Sequence, residues 1–269
     1  MNVKALILGL VLGAVCAAAA SPGNSIPQNP SVDAGYTPIP LRESYTTFPF
    51  PRRLPDIDGV HALKDSFVNI DLGDYAGAGV IIEKGMVLTN AHVVIDEDGD
   101  LRKRRVQISL YDGRRVSGYY IAHSRTYDIA ILRIPEDFGT PAPLANSEVP
   151  LEQEVIAIGN PARGKWVAKG RVLALGLRVR HTFVPDRTDA AIRMFVMNAA
   201  IVAGYSGGPV VHPLTGEVYG ISVGLAERYI DPATGLWVTP PARVGLAMHI
   251  HEVLAEVEAL RTPPLIAKT

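Results

Sequence analysis

Three short stretches of this chain carry side chains equipped to break a covalent bond. The first is Gly204-Tyr205-Ser206-Gly207-Gly208-Pro209-Val210, a serine set among three glycines. A serine hydroxyl is a weak nucleophile until a base takes its proton and a donor receives the charge on the attacked oxygen. Glycine serves the second need, because backbone without a Cβ turns sharply and aims N–H groups at a substrate. Alone, the heptad reads equally well as a glycine-rich turn between strands. The second stretch, Thr89-Asn90-Ala91-His92-Val93-Val94, puts an imidazole directly after an apolar strand. Imidazole can accept a proton near neutral pH and return it later, but a lone histidine is as readily a core residue bonded to a backbone carbonyl. The third, Tyr127-Asp128-Ile129-Ala130-Ile131-Leu132, places a carboxylate at the head of a strongly apolar strand. Such a carboxylate is costly unless it is paired. It reads as a turn cap or as the acceptor for one imidazole N–H, which fixes the tautomer.

The surrounding elements are short strands. Runs at 67–70, 77–82, 86–89, 106–111, 116–122, 129–134, 154–158, 167–176, 191–196, 209–212 and 217–223 are separated by turn signals such as Asp112-Gly113, Asn160-Pro161, Thr215-Gly216 and Thr234-Gly235. Many strands at this spacing predict an all-β barrel or sandwich. One helix is expected, over residues 249–260, where Ile250, Val253, Leu254, Val257 and Leu260 recur at helical spacing and Pro263 and Pro264 stop the run. With 269 residues and 48% hydrophobic content, the chain has ample material for a core. Its formal net charge of -1 gives no global field that would draw nucleic acid or an anionic membrane. Function must come from local chemistry.

Residues 1–20 read as a secretory signal, with Lys4, an apolar run and Ala18-Ala19-Ala20 as the cleavage site. The run is shorter than the roughly 20 residues a transmembrane helix needs, so no stable transmembrane anchor is expected. Val15 and Gly13 fit a lipid-anchoring motif at Cys16 poorly. Cleavage after Ala20 removes that single cysteine, so the exported chain, periplasmic or secreted, is held by its core and not by disulfides. Residues 21–56 carry eight prolines and read as an extended arm.

His92, Asp128 and Ser206 occur in that order, each in a suitable motif on an all-β background. With them stand Gly77-Ala78-Gly79-Val80-Ile81-Ile82, Ala157-Ile158-Gly159-Asn160-Pro161 and Gly170-Arg171-Val172-Leu173-Ala174-Leu175-Gly176. As a set, covering about residues 65–225, these resemble a trypsin-like serine protease, and specifically the protease domain of the HtrA (Do/Deg-like) family. The resemblance implies two six-stranded antiparallel β-barrels, at 57–142 and 143–248, with a helix and tail at 249–269 and the active site between the barrels. It implies Ser206 as nucleophile, His92 as base, Asp128 as its orienter and the N–H groups of Gly204 and Ser206 as the oxyanion hole. It also places Ala200, Ile201, Val202, Ser222, Val223 and Gly224 around the primary substrate pocket, with Ser222 behind Asp128 and able to donate to it. An uncharged residue, Ala200, stands where enzymes cleaving after Lys or Arg carry an acid, so small or medium apolar side chains are expected there. Polypeptides, unfolded proteins among them, are the implied partners. No nucleic acid, cofactor or metal is implied, and oligomerisation is left open. Two departures stand out. Tyr205 replaces a small polar residue, which points to altered subsites near the serine. The sequence also ends about forty residues after Gly224, leaving no room in it for the PDZ domain of typical HtrA proteins.

Two other functions fit parts of the pattern. Gly204-Tyr205-Ser206-Gly207-Gly208 also satisfies the G-x-S-x-G elbow of α/β-hydrolase esterases, which requires a helix after the serine, with acid and histidine downstream; Asp231 and His249 would serve. A non-catalytic peptide-binding protein on a trypsin-like scaffold is the second. Asp96-Glu97-Asp98-Gly99-Asp100 hints at a calcium loop, but its glycine and the residue at position twelve, Gln107, do not fit an EF-hand. It reads as a solvated loop balanced by the basic run after it. His249 and His251, two apart on a helix, face different ways and are not read as a metal pair.

Overall fold

The computed structural model describes residues 55–124, 126–161, 166–180, 191–226, 229–230, 234–239 and 244–261. The expected signal segment and almost all of the proline-rich arm lie outside the described residues. A five-residue helix, α1 (Asp58–Ala62), leads into β1 (Phe67–Asp71), β2 (Ala76–Glu83) and β3 (Met86–Thr89). After a single turn of helix, α2 (Ala91–Val94), come β4 (Arg105–Leu110), β5 (Arg115–His123) and β6 (Ala130–Arg133). These strands close into an antiparallel barrel in the order β1-β2-β3-β6-β5-β4. The strands β7 (Glu154–Ile158), β8 (Val167–Arg180), β9 (Ala191–Met197), β10 (Pro209–Val211) and β11 (Val218–Ala226) follow. A small hairpin, β12 (Tyr229–Ile230) and β13 (Trp237–Val238), precedes β14 (Val244–His249) and the terminal helix α3 (Ile250–Arg261). The second barrel closes in the order β10-β11-β14-β9-β8-β7. The two six-stranded barrels and C-terminal helix implied by the resemblance are therefore present.

Several strands lack polar–apolar alternation, and the fold explains why. Val68, Ile70, Ile81, Val87, Ile108, Leu110, Ala130 and Leu132 fill the interior of the first barrel. Their neighbours Val80, Ile82, Leu88, Ile129 and Ile131 belong to a second cluster, which takes in Ile156, Ile158, Ile221 and Leu246 of the other barrel. Strands β2, β3 and β6 are buried on both faces, and so read as continuous apolar runs. Burying one such side chain contributes roughly 1.5–3 kcal/mol, so the seam is a core in its own right. The interior of the second barrel is separate, built from Val155, Ala157, Val172, Phe195, Met197, Val210 and Ala247.

Helix α3 buries Ile250, Val253 and Val257 in the seam cluster. It also reaches the first barrel through polar contacts. Arg261 pairs with Glu83 at 2.8 Å, and Ser124 donates to Glu256. The helix thereby fastens the two barrels together. His249, the last residue of β14, is 1% exposed and lies against the Phe195 ring at a centroid distance of 5.1 Å. Neither ring nitrogen has a protein partner among the described residues.

Burial pushes the His249 imidazole below its ordinary pKa; Arg193 and His251 add to the fall, and Glu148 opposes it. The unfolded chain therefore binds the extra proton first. Stability is complete above the unfolded imidazole value of about 6.5 and declines as pH falls through it. Denaturant midpoints at about pH 8 and about pH 5 should show this loss, and His249→Phe should reduce it. An unchanged pH dependence in that variant would contradict the reading.

Candidate active site

Strand β3 delivers its apolar residues to the core and ends at Thr89, where the chain turns into α2. One helical turn puts His92 at the seam, 5% exposed. Asp128 comes from the loop entering β6 and is fully buried. That loop is built around Ser124. Its hydroxyl oxygen accepts the N–H groups of Thr126 and Tyr127, both at 2.9 Å, while donating to Glu256 of α3. The Asp128 carboxylate then meets His92 twice. One oxygen accepts the His92 backbone N–H at 2.9 Å, and the other lies 2.6 Å from Nδ1. Asn90 adds a third tie, donating from its side-chain amide to the Asp128 carbonyl at 2.8 Å. An ionised carboxylate only accepts, so the Nδ1 of a neutral ring carries the proton and Nε2 keeps its lone pair. Fixing the tautomer in this way prepares the ring to act as a base.

The serine turn approaches from the second barrel. Gly204 has φ 98° and Gly207 φ 81°, both in the left-handed region that a side chain strains. There is no space for one either. A Cβ on Gly204 would strike the Asn160 carbonyl, and one on Gly207 would strike the Ala78 carbonyl and the Thr89 hydroxyl of the first barrel. Glycine is what lets the two barrels touch here. Directly beside that contact, the Ala78 N–H donates to the Ser206 carbonyl at 2.9 Å, while Thr89 Oγ1 donates to the Ala78 carbonyl at 2.7 Å. The turn is thus stapled to the strand pair that leads into His92.

Within the turn, the N–H of Tyr205 donates to Val202, that of Gly207 to Ser222 and that of Gly208 to Tyr205. The N–H groups of Gly204 and Ser206 donate to no backbone carbonyl among the described residues. Ser206 Oγ contacts the Val223 carbonyl at 3.4 Å. That carbonyl is available because β11 is bulged: Ser222 pairs with Ala247 and Gly224 with Leu246, leaving Val223 outside the ladder.

Around the serine, Ala200 and Val202 are exposed, while Ile201 is packed into the second barrel's interior cluster. Two expectations are corrected. Tyr205, expected to alter the subsites near the serine, turns into the second barrel; it is 2% exposed, sits beneath Gly159 and joins the same interior cluster, where burial pushes its hydroxyl well above the ordinary tyrosine pKa. Ser222 does not donate to Asp128. Its backbone N–H and carbonyl are held by Gly208 and Gly207, and its buried hydroxyl finds no partner among the described residues. The esterase elbow also fails, since a turn and then strand β10 follow Ser206 where that motif needs a helix. Asp96 folds back on its own loop, accepting the N–H groups of Asp98 and Asp100.

Sequence reasoning overlooked Thr89, Ala78, Asn90 and Ser124 as positioning groups. Thr89 and Asn90 stood beside His92 in its motif, but hydrogen bonds that cross the fold leave no pattern along the chain.

A cleft between two closed barrels, with imidazole and carboxylate on one and the serine turn on the other, is the arrangement of trypsin-like proteins. Residues 77–221 match the family model for the trypsin-like peptidase domain, and the chain belongs to that family. Its relatives are of the HtrA and Do type. A putative serine protease, HhoA, of Synechocystis is 34% identical over 170 residues, covering 61% of this chain and 40% of that protein. The serine endoprotease DegS of Escherichia coli is 33% identical over 182 residues, covering 64% of this chain and 44% of its own length. The chain thus spans less than half of either relative. The active form of the Rv3671c protease of M. tuberculosis has the same fold, with a TM-score of 0.62 at 21% identity over 87% of this chain and 97% of that one.

The contact at Gly207 can be separated from its backbone strain. Gly207→Ala and Gly113→Ala both force a side chain into the left-handed region, at roughly 1–2 kcal/mol each, but Gly113 faces open space. Urea unfolding should show a distinctly larger loss for Gly207→Ala. Equal losses would mean that the seam does not depend on this contact.

Proposed function

We propose that this chain is a serine endopeptidase working through Ser206, His92 and Asp128. The observation that carries the reading is the His92–Asp128 pair, 2.6 Å apart and buried, beside a serine turn stapled to the strand that ends at Thr89. Ser206 Oγ attacks the scissile carbonyl as Nε2 of His92 takes its proton. Asp128 accepts the Nδ1–H throughout and stabilises the imidazolium. The oxyanion is received by the N–H groups of Gly204 and Ser206. Losing one such donor typically costs ~10²–10³ in kcat. His92 then protonates the departing amine, and water repeats the sequence to release the acyl group. The 3.4 Å contact from Ser206 Oγ to Val223 is long for a hydroxyl hydrogen bond and leaves the hydroxyl free to turn.

The substrate pocket is assigned to Ala200, Ile201, Val202, Ser222, Val223 and Gly224. None is charged, so a lysine or arginine would be desolvated there without a partner. Cleavage after small or medium apolar residues follows. Export through the segment at residues 1–20 and action on polypeptides, unfolded ones among them, complete the reading.

Mass spectrometry of the products from an unfolded polypeptide should show cuts after aliphatic residues. Ser206→Ala should lower kcat/KM by roughly 10⁴-fold or more. Cuts confined to Lys or Arg would overturn the pocket assignment, and cleavage that survives Ser206→Ala would overturn the mechanism.

A further inference from the structure

The chain's near-neutral total charge conceals a segregated surface. Strands β4 and β5 turn alternate residues outward over part of their length: Arg105 and Gln107 on one, Arg115, Ser117 and Tyr119 on the other. A groove of about 340 Å³ runs across them, with Arg105, Gln107, Arg115 and Ser117 in its lining. Lys103 and Arg104 are exposed next to it. Among the described residues, Lys103, Arg104, Arg105 and Arg115 have no carboxylate within ion-pairing distance. Several neighbouring charges are engaged elsewhere. Arg114 is held by Asp65 and Asp112, and Arg102 lies over the Tyr75 ring at 4.7 Å. Asp71 pairs across β1 with Gln107, and its carboxylate caps the Gly73 N–H. In the acidic loop upstream, Asp96 is spent on the Asp98 and Asp100 N–H groups, and the exposed carboxylates of Glu97, Asp98 and Asp100 reach no ion-pairing contact with the patch among the described residues. Arg105, an exposed residue, donates from Nε to Ser117 Oγ at 2.8 Å, which steadies the guanidinium.

We propose that this face docks the first barrel on an anionic lipid surface, with phosphate headgroups in the groove between Arg105 and Arg115. Tyr119 favours a lipid surface over other anions. It is 48% exposed, it is the register partner of Arg105, and an aromatic with a polar tip suits the headgroup layer. The long basic side chains can rest their stems on the sheet while presenting charge to the bilayer. Four basic residues without an ion-pair partner among the described residues reach the lower end of the cluster size that attracts anionic lipid. The geometry also leaves the cleft open. In the closed order of strands β4 lies three places from β3 in either direction, so a barrel resting on β4 and β5 carries His92 on its far side.

The test is sedimentation of the full chain with vesicles of phosphatidylcholine alone and of phosphatidylcholine mixed with phosphatidylglycerol. The account expects binding to the mixed vesicles only, weakened by salt. The double variant Arg105→Gln/Arg115→Gln should reduce vesicle affinity on the order of tenfold or more. Arg105→Lys/Arg115→Lys should retain most of it, which separates lost charge from lost fold. A control on ion-paired arginines elsewhere, Arg171→Gln/Arg193→Gln, should bind as the parent does. Failure to bind mixed vesicles, or binding that the Gln pair leaves unchanged, would overturn the proposal. So would displacement by inorganic phosphate at constant ionic strength, which would mark a free-anion site, or preferential binding of an oligonucleotide, which would mark a nucleic-acid surface.

Discussion

The peptide hydrogen bond from the Ala78 N–H to the Ser206 carbonyl crosses between two barrels that fold around separate interiors. The proposed chemistry depends on its surroundings. Ser206 and His92 sit on different barrels, and a small slip between them would separate nucleophile and base, since such groups tolerate little misplacement. The fold resists slipping in two ways. Strands β2, β3 and β6 bury a second apolar face against the other barrel, and Gly207 brings the serine turn into contact with Ala78 and Thr89. Helix α3 adds a strap across the seam, tied to the first barrel at Glu83 and at Ser124.

Around that seam the polar groups are divided between rigidity and use. Asp128 is fully buried and spends its carboxylate on His92, ring and backbone together, so the imidazole has little freedom to turn away. The serine turn uses the N–H groups of Tyr205, Gly207 and Gly208 for its own shape and leaves those of Gly204 and Ser206 uncommitted among the described residues. Tyr205 supports the turn from beneath, its ring against Gly159 in the second barrel's interior. A large aromatic at this position anchors the loop by burial.

The pairing of His92 with Asp128 and the tight turn at Ser206 were readable because few residue types fit those places: an imidazole facing a buried acid, and glycines where a side chain would strike the other barrel. The continuous runs at Val80-Ile81-Ile82 and Ile129-Ala130-Ile131-Leu132 were readable as strands, although the reason for their continuity, two buried faces, needed the second barrel. Strand β14 was not anticipated. Val244-Gly245-Leu246-Ala247-Met248 carries little β-branched character and passes into α3 without a turn to mark its end. Helices α1 and α2 are too short to show a period. Tyr205 and Ser222 were misread for a common reason. Their surroundings are set by partners distant in the chain, Gly159 for one and the Gly207-Gly208 backbone for the other.

The most direct measurement is a crystal structure of the chain after reaction with an aliphatic peptidyl phosphonate. The account predicts phosphorus bonded to Ser206 Oγ, its oxygen on the N–H groups of Gly204 and Ser206, and His92 Nε2 within about 2.6–3.2 Å of the reacting oxygens. An adduct on another residue, or one on Ser206 with the His92 ring turned out of reach, would contradict it.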